Sequence, residues 1–219
     1  MPQVEWYTPK IIQPPGLPRS EGIHQSAVLR NIAVLNGALD PKYLESVDLV
    51  ERNGGDWWEQ LDQQTQLRMA IGLAWEDWYV QTQLPHVVHQ PGELCVEGLY
   101  MTPDGESLET VLSERGGYEI AVHEVKTTSK SVNTLGDDLR SQWLYLTQLK
   151  TLCKGMGTTL AYLHVLFLQG DYSYPRHQQA RVYRCRFTQL EIEDSWETVT
   201  GFVRHRQNQE REDMMRDTE

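Results

Sequence analysis

The residues best placed to do chemistry end a strand-like stretch, Tyr118 to Thr127. Side chains alternate along a strand with period two, so Tyr118, Ile120, Val122, Glu124 and Lys126 share one face. Three apolar residues are followed by an acid and a base on the same side. A solvent-facing stripe would not begin so apolar, and a core-facing one would not end in two unpartnered charges. Glu124 and Lys126 therefore stand where a buried face can open into a cleft. Before them, Asp104 lies in Thr102-Pro103-Asp104-Gly105, where ordinary Asp-Gly turn chemistry also accounts for it.

Other candidates sit in helix-compatible segments. Glu76 has Gly72 and Val80 one turn either side and Leu73 close by. An acid among such neighbours needs a partner. A metal, a metal-held water, or a Lys or Arg would each serve, and Asp77 is the competing acid. Gln148 lies in line with Leu144, Tyr145 and Leu152, which suits either a buried hydrogen bond or a site residue. Lys130 and Arg140 follow the strand and could meet phosphate, although solvated surface charge is the default. Tyr145 joins them as a candidate for nucleic-acid contact. Trp57 and Trp58 could stack on unpaired bases, but core packing is expected. The seven histidines form no HxxxH pair and the three cysteines no CxxC pair, so neither zinc nor an iron–sulfur cluster is indicated. The thiols read as ordinary buried cysteines. No GxSxG elbow or Walker-type loop is present.

An acid in a Pro-Asp-Gly turn, followed by a hydrophobic strand ending in Glu-x-Lys, resembles the PD-(D/E)XK nucleases. Thr102-Pro103-Asp104-Gly105 and His123-Glu124-Val125-Lys126 look like the lambda-exonuclease-like and RecB-like form. Relatives of that kind carry a further acid in a G-x-x-x-E pattern on a preceding helix, matched by Gly72 to Glu76. A later helix supplies a Gln, matched by Gln148, although the Tyr often found four residues on is Leu152 here. The resemblance spans about residues 65 to 205. It implies a restriction-endonuclease-like α/β core with a central mixed sheet flanked by helices.

The resemblance also implies Mg²⁺ or Mn²⁺ on Asp104 and Glu124, with the Val125 carbonyl and Glu76 as further ligands. Magnesium keeps several waters, so two or three carboxylates suffice. It would polarise a scissile phosphate and acidify the attacking water. Lys126 is expected to stay charged among carboxylates and to act electrostatically. The expected substrate is DNA, with ends or single-stranded regions, cut by an exonuclease of recombination, repair or phage type. The rival expectation is a catalytically silent protein of the same fold that scaffolds a complex.

The elements that must position these residues read as follows. Residues 1–22 form a Pro-punctuated arm, 23–206 one domain, and 207–219 a charged, fraying tail. Helices are expected over Gln25–Leu39, Pro41–Leu49, Thr65–Leu84 and Asp137–Lys154. A last helix is capped by Thr188 with Glu191. Apolar residues on two faces of 65–84 suggest packing on more than one side. Strands are expected over Glu93–Met101, Ser107–Leu112, Tyr118–Thr127, Thr158–Leu168 and Gln179–Phe187. The arm has no signal-peptide core and no run is long enough to span a bilayer, so a cytoplasmic protein away from membranes is expected. The net charge of −11 argues against a broadly basic surface and leaves DNA affinity to a local groove, self-association or a protein partner.

Overall fold

The computed structural model describes residues 22–41, 57–110, 117–128, 139–167 and 180–216. A five-stranded sheet organises the chain. Its strands are β2 (Val88–His89), β5 (Gly105–Thr110), β6 (Tyr118–Thr128), β7 (Leu160–Phe167) and β8 (Ala180–Arg186), in that order. β6 pairs antiparallel with β5 and parallel with β7, and the two outer pairings are antiparallel, so the sheet is mixed. A smaller sheet runs β1 (Ile23–His24), β4 (Leu99–Met101), β3 (Leu94–Val96).

Helices cover both faces of the large sheet. Three of them, α1 (Gln25–Leu35), α4 (Trp143–Met156) and α5 (Gln189–Arg216), share one core with it. There Val28, Leu29, Val122, Leu149, Leu163, Phe167, Ile192 and Trp196 pack together. A short α2 (Trp57–Gln60) leads into α3 (Gln63–Gln83), whose C-terminal part lies on the opposite face. Tyr79 and Val80 pack there on Val125. β6 is thus covered on both sides, and for that reason Ala121 and Val122, on opposite faces, are both fully buried.

Local chemistry sets the ends of these elements. Asp62 caps α3 by accepting from the Thr65 amide at 2.9 Å. Gly157 closes α4 in a left-handed conformation at φ 66°. Thr188 and Glu191 form the reciprocal capping box of α5, with amide bonds of 2.8 and 3.2 Å.

Several expectations need correction. The segment 93–101 is a hairpin, β3–β4, because Glu97 and Gly98 both take positive φ (50° and 80°) and turn the chain. α4 starts at Trp143; Leu139 to Gln142 are not helical. Its two predicted apolar faces notwithstanding, α3 buries only Tyr79 and Val80 among the described residues, while Leu67, Ile71 and Trp78 are exposed. Cys95 is exposed and only Cys153 is fully buried. α5 stays helical from Gln207 to Arg216, where composition suggests a tail. Of the expected arm (1–22) all but Gly22, and of the expected 41–49 helix all but Pro41, lie outside the described residues. Among the described residues no helix is long and apolar enough to cross a membrane.

Candidate active site

The end of β6 presents its two faces differently. Glu124 points into the main core beside α4 and is 2% exposed. One of its oxygens, Oε1, accepts from Gln148 Nε2 at 2.6 Å and from Lys126 Nζ. The other, Oε2, is buried and has no hydrogen-bond partner. An ionised carboxylate in that position is expensive without a cation or a proton. Lys126, two residues on, is partly exposed at the rim.

Asp104 reaches the same strand end from the turn before β5. Its Oδ2 accepts from the Val125 amide at 2.7 Å. A residue in a strand sends its N–H and C=O toward the same neighbour. The Val125 carbonyl therefore also faces the Asp104 side, past the last β5–β6 pair, Gly105 with His123. Gly105 is needed here, because a Cβ would lie 2.5 Å from Val87 Cγ1 and push β2 off the turn. Gln90 then holds the turn by donating its amide to the Asp104 carbonyl at 3.0 Å.

Glu76 arrives from α3. The G-x-x-x-E spacing has a mechanical reason: a Cβ on Gly72 would sit 3.2 Å from Thr127 Oγ1, so glycine lets the helix lie close to the end of β6. Of the two candidate acids, Glu76 is turned inward and Asp77 is largely exposed, taking a hydrogen bond from Gln81. His89 Nε2 is 3.8 Å from Glu76 Oε1 and is buried without a hydrogen-bond partner.

The electrostatics show that the three carboxylates feel one another. Burial, then the Asp104 charge, raise Glu76 to about 7, with Lys126 and a Gln90 hydrogen bond pulling it down. Burial, then Asp104, raise Glu124 to about 8. Burial opposes the charge on Lys126, but Glu124, Asp104 and Glu76 together outweigh it and hold the ammonium more firmly than usual. This is a concentration of negative charge with one embedded cation, the arrangement a divalent ion would relieve. The oxygen donors and the unpartnered Glu124 Oε2 suit a hard cation. Among the described residues no three His, Cys, Asp or Glu side chains form a ready-made cage. Magnesium does not require one, because waters complete its shell.

Of the other sequence candidates, Tyr145 packs against the main core and Arg140 is exposed in the turn before α4. Lys130 lies outside the described residues. Trp58 is core, as expected. His89 and Gln90 escaped the sequence reading; their only signal is a polar pair shortly before the Asp104 turn.

No protein-family model matches the chain, and no curated protein matches it in sequence. Solved structures do. An alkaline exonuclease, LHK-Exo, from Laribacter hongkongensis is similar with a TM-score of 0.53 at 15% identity, over 90% of this chain and 93% of that one. Its complex with dAMP gives 0.52 at the same identity and coverage. SSO0001 matches at 0.41 and 11% identity, over 84% of this chain and 78% of that one, too distant to carry an argument. The chain is a mixed α/β protein, a sheet flanked by helices, in a fold that it shares with a nuclease.

Proposed function

We propose that this chain is a metal-dependent deoxyribonuclease that hydrolyses phosphodiester bonds, acting as an exonuclease at DNA ends. What carries the reading is Glu124: a buried carboxylate whose second oxygen lacks a partner, beside Asp104 and an embedded lysine, in an exonuclease-like fold. In this reading Asp104, Glu124 and the Val125 carbonyl hold Mg²⁺ or Mn²⁺, with Glu76 next to them. When bound, the ion supplies charge to the scissile phosphate and lowers the pKa of the attacking water. Gln148 fixes the Glu124 carboxylate by its 2.6 Å bond. Lys126 keeps its proton, so it stabilises charge building on the phosphate and does not serve as the base. Recombination, repair or phage DNA processing is the setting such an activity suits.

The −11 net charge favours a second reading, a silent member of the fold that scaffolds a DNA-processing complex. Linear and nicked DNA incubated with Mg²⁺ or Mn²⁺ separates the two. The nuclease reading expects metal-dependent release of nucleotides from ends by wild type, and loss of it in Asp104→Ala and Lys126→Ala. If wild type and both variants behave alike on every substrate, the scaffold reading stands instead.

A further inference from the structure

Behind the site, on the α3 face of the sheet, four buried side chains form one continuous hydrogen-bonded line. Tyr79 OH meets His164 Nδ1 at 3.2 Å, His164 Nε2 meets His123 Nδ1 at 3.0 Å, and His123 Nε2 meets Ser107 Oγ at 2.9 Å. The His123 and His164 rings lie nearly coplanar with centroids 5.2 Å apart, as two imidazoles joined by a hydrogen bond do, and the Tyr162 ring lies 4.9 Å from that of His123. His123 and His164 are 2% and 3% exposed, and burial keeps both imidazoles neutral.

The direction of the line follows from its end. Ser107 has one hydroxyl proton and donates it to Glu109 Oε1 at 3.3 Å. In that arrangement it accepts from His123 Nε2. A neutral imidazole has one donor and one acceptor, so His123 Nδ1 accepts from His164 Nε2, and His164 Nδ1 accepts from the Tyr79 hydroxyl. Every polar atom in the line is satisfied in this polarity. An apolar layer would fill the same space without constraining direction, whereas a satisfied polar network admits a single arrangement.

The line also visits β6 and α3, which carry Glu124 and Glu76, and β5, which follows the Asp104 turn. Ser107, on β5, is three residues beyond Asp104 in the preceding turn. His123 is the neighbour of Glu124 on β6. Tyr79 is three residues beyond Glu76 on α3, under one turn away. His164 on β7 joins α3 to the strands. α3 needs such a tie, since it buries only Tyr79 and Val80 among the described residues.

We propose that this line is the device that sets the three carboxylates against one another, with Tyr79 as the positioning residue that aims Glu76 at Asp104 and Glu124. The proposal rests on the metal-binding reading above. Tyr79→Phe tests it, since the ring keeps its stack on Trp75, at 4.8 Å, and only the hydroxyl is lost. Mn²⁺ affinity is measured by calorimetry in wild type, Tyr79→Phe, Glu76→Gln and the double variant. Amide exchange of residues 63–83 is followed in the metal-free proteins. The expected result is about a fivefold weaker Mn²⁺ affinity in Tyr79→Phe, the weight of one buried hydrogen bond. No further loss is expected on top of Glu76→Gln, because the effect runs through Glu76. Exchange in α3 should be faster without metal. Unchanged affinity, or the same loss in both backgrounds, overturns the proposal. If wild type binds no Mn²⁺, the metal reading fails on its own, and α3 exchange decides the line: faster in Tyr79→Phe upholds the tie, unchanged overturns it.

Discussion

Replacing Glu124 by Gln should stabilise the metal-free protein while removing its capacity for metal. Burial, then Asp104, lift the Glu124 carboxyl from an ordinary 4.5 to about 8. Its folded pKa lies above its unfolded one, so the associated stability is full below 4.5 and is lost as pH rises through about 8. Each intervening pH unit is worth about 1.4 kcal/mol. At pH 7 the folded protein has therefore lost on the order of 3 kcal/mol to this group. A glutamine takes up no proton and retains the oxygen that accepts from Gln148 and Lys126. For a chain of this size the gain corresponds to roughly 6–12 °C in Tm near pH 7. It should fade to nothing near pH 4.5 and level off above pH 8. Thermal melts of wild type and Glu124→Gln in a chelator, across that range, measure it directly. A gain that is absent near pH 8, or equal at both ends of the range, would refute the claim that Glu124 is a strained, unpartnered carboxylate.

Three further outcomes are expected. Because Glu76 and Glu124 titrate at about 7 and about 8, a bound ion must displace protons, so the Tm rise given by Mg²⁺ should be larger near pH 8.5 than near pH 6.5. An equal rise at both pH values counts against these ligands. The two buried histidines carry the opposite dependence. With folded pKa values of about 3 and about 4, their stability is present above 6.5 and is lost as pH falls toward those values. In a Glu76→Gln/Glu124→Gln background, which removes the opposing carboxylates, melts should show a loss of about 4 kcal/mol by pH 5; a flat acid limb would show that His123 and His164 are charged or solvated. Finally, Gln148→Ala removes one of the two donors that hold Glu124 Oε1, and kcat on linear DNA should fall about tenfold with KM within about twofold. A change in KM alone would place Gln148 at the substrate and not behind Glu124.

The sequence made Glu124 and Lys126 legible because both lie on one short, regular element, and period-two alternation needs only local information. Asp104 and Glu76 were legible through the resemblance, and the structure adds physical reasons for the glycines beside them: Gly72 against Thr127 and Gly105 against Val87. Choosing Glu76 over Asp77 required knowing how α3 is rotated on the sheet, which its weakly segregated apolar residues do not reveal. The Tyr79–His164–His123 line was illegible for a different reason. Its members lie 85 and 41 residues apart, and only His164 stands alone as a charged-type residue in an apolar run, Leu160–Phe167. β1 and β2, two residues each, are too short to show any period. The β3–β4 turn hides behind Glu97, a residue type that rarely takes positive φ.

The most direct test of the account is the position of a single ion. Crystals grown with Mn²⁺ and measured for anomalous scattering should show a peak in contact with Glu124 Oε2 and the Asp104 carboxylate. Asp104→Asn should remove it. A peak elsewhere, or none at saturating Mn²⁺ with Glu124 Oε2 still unpartnered, would contradict the metal site on which the proposed nuclease depends.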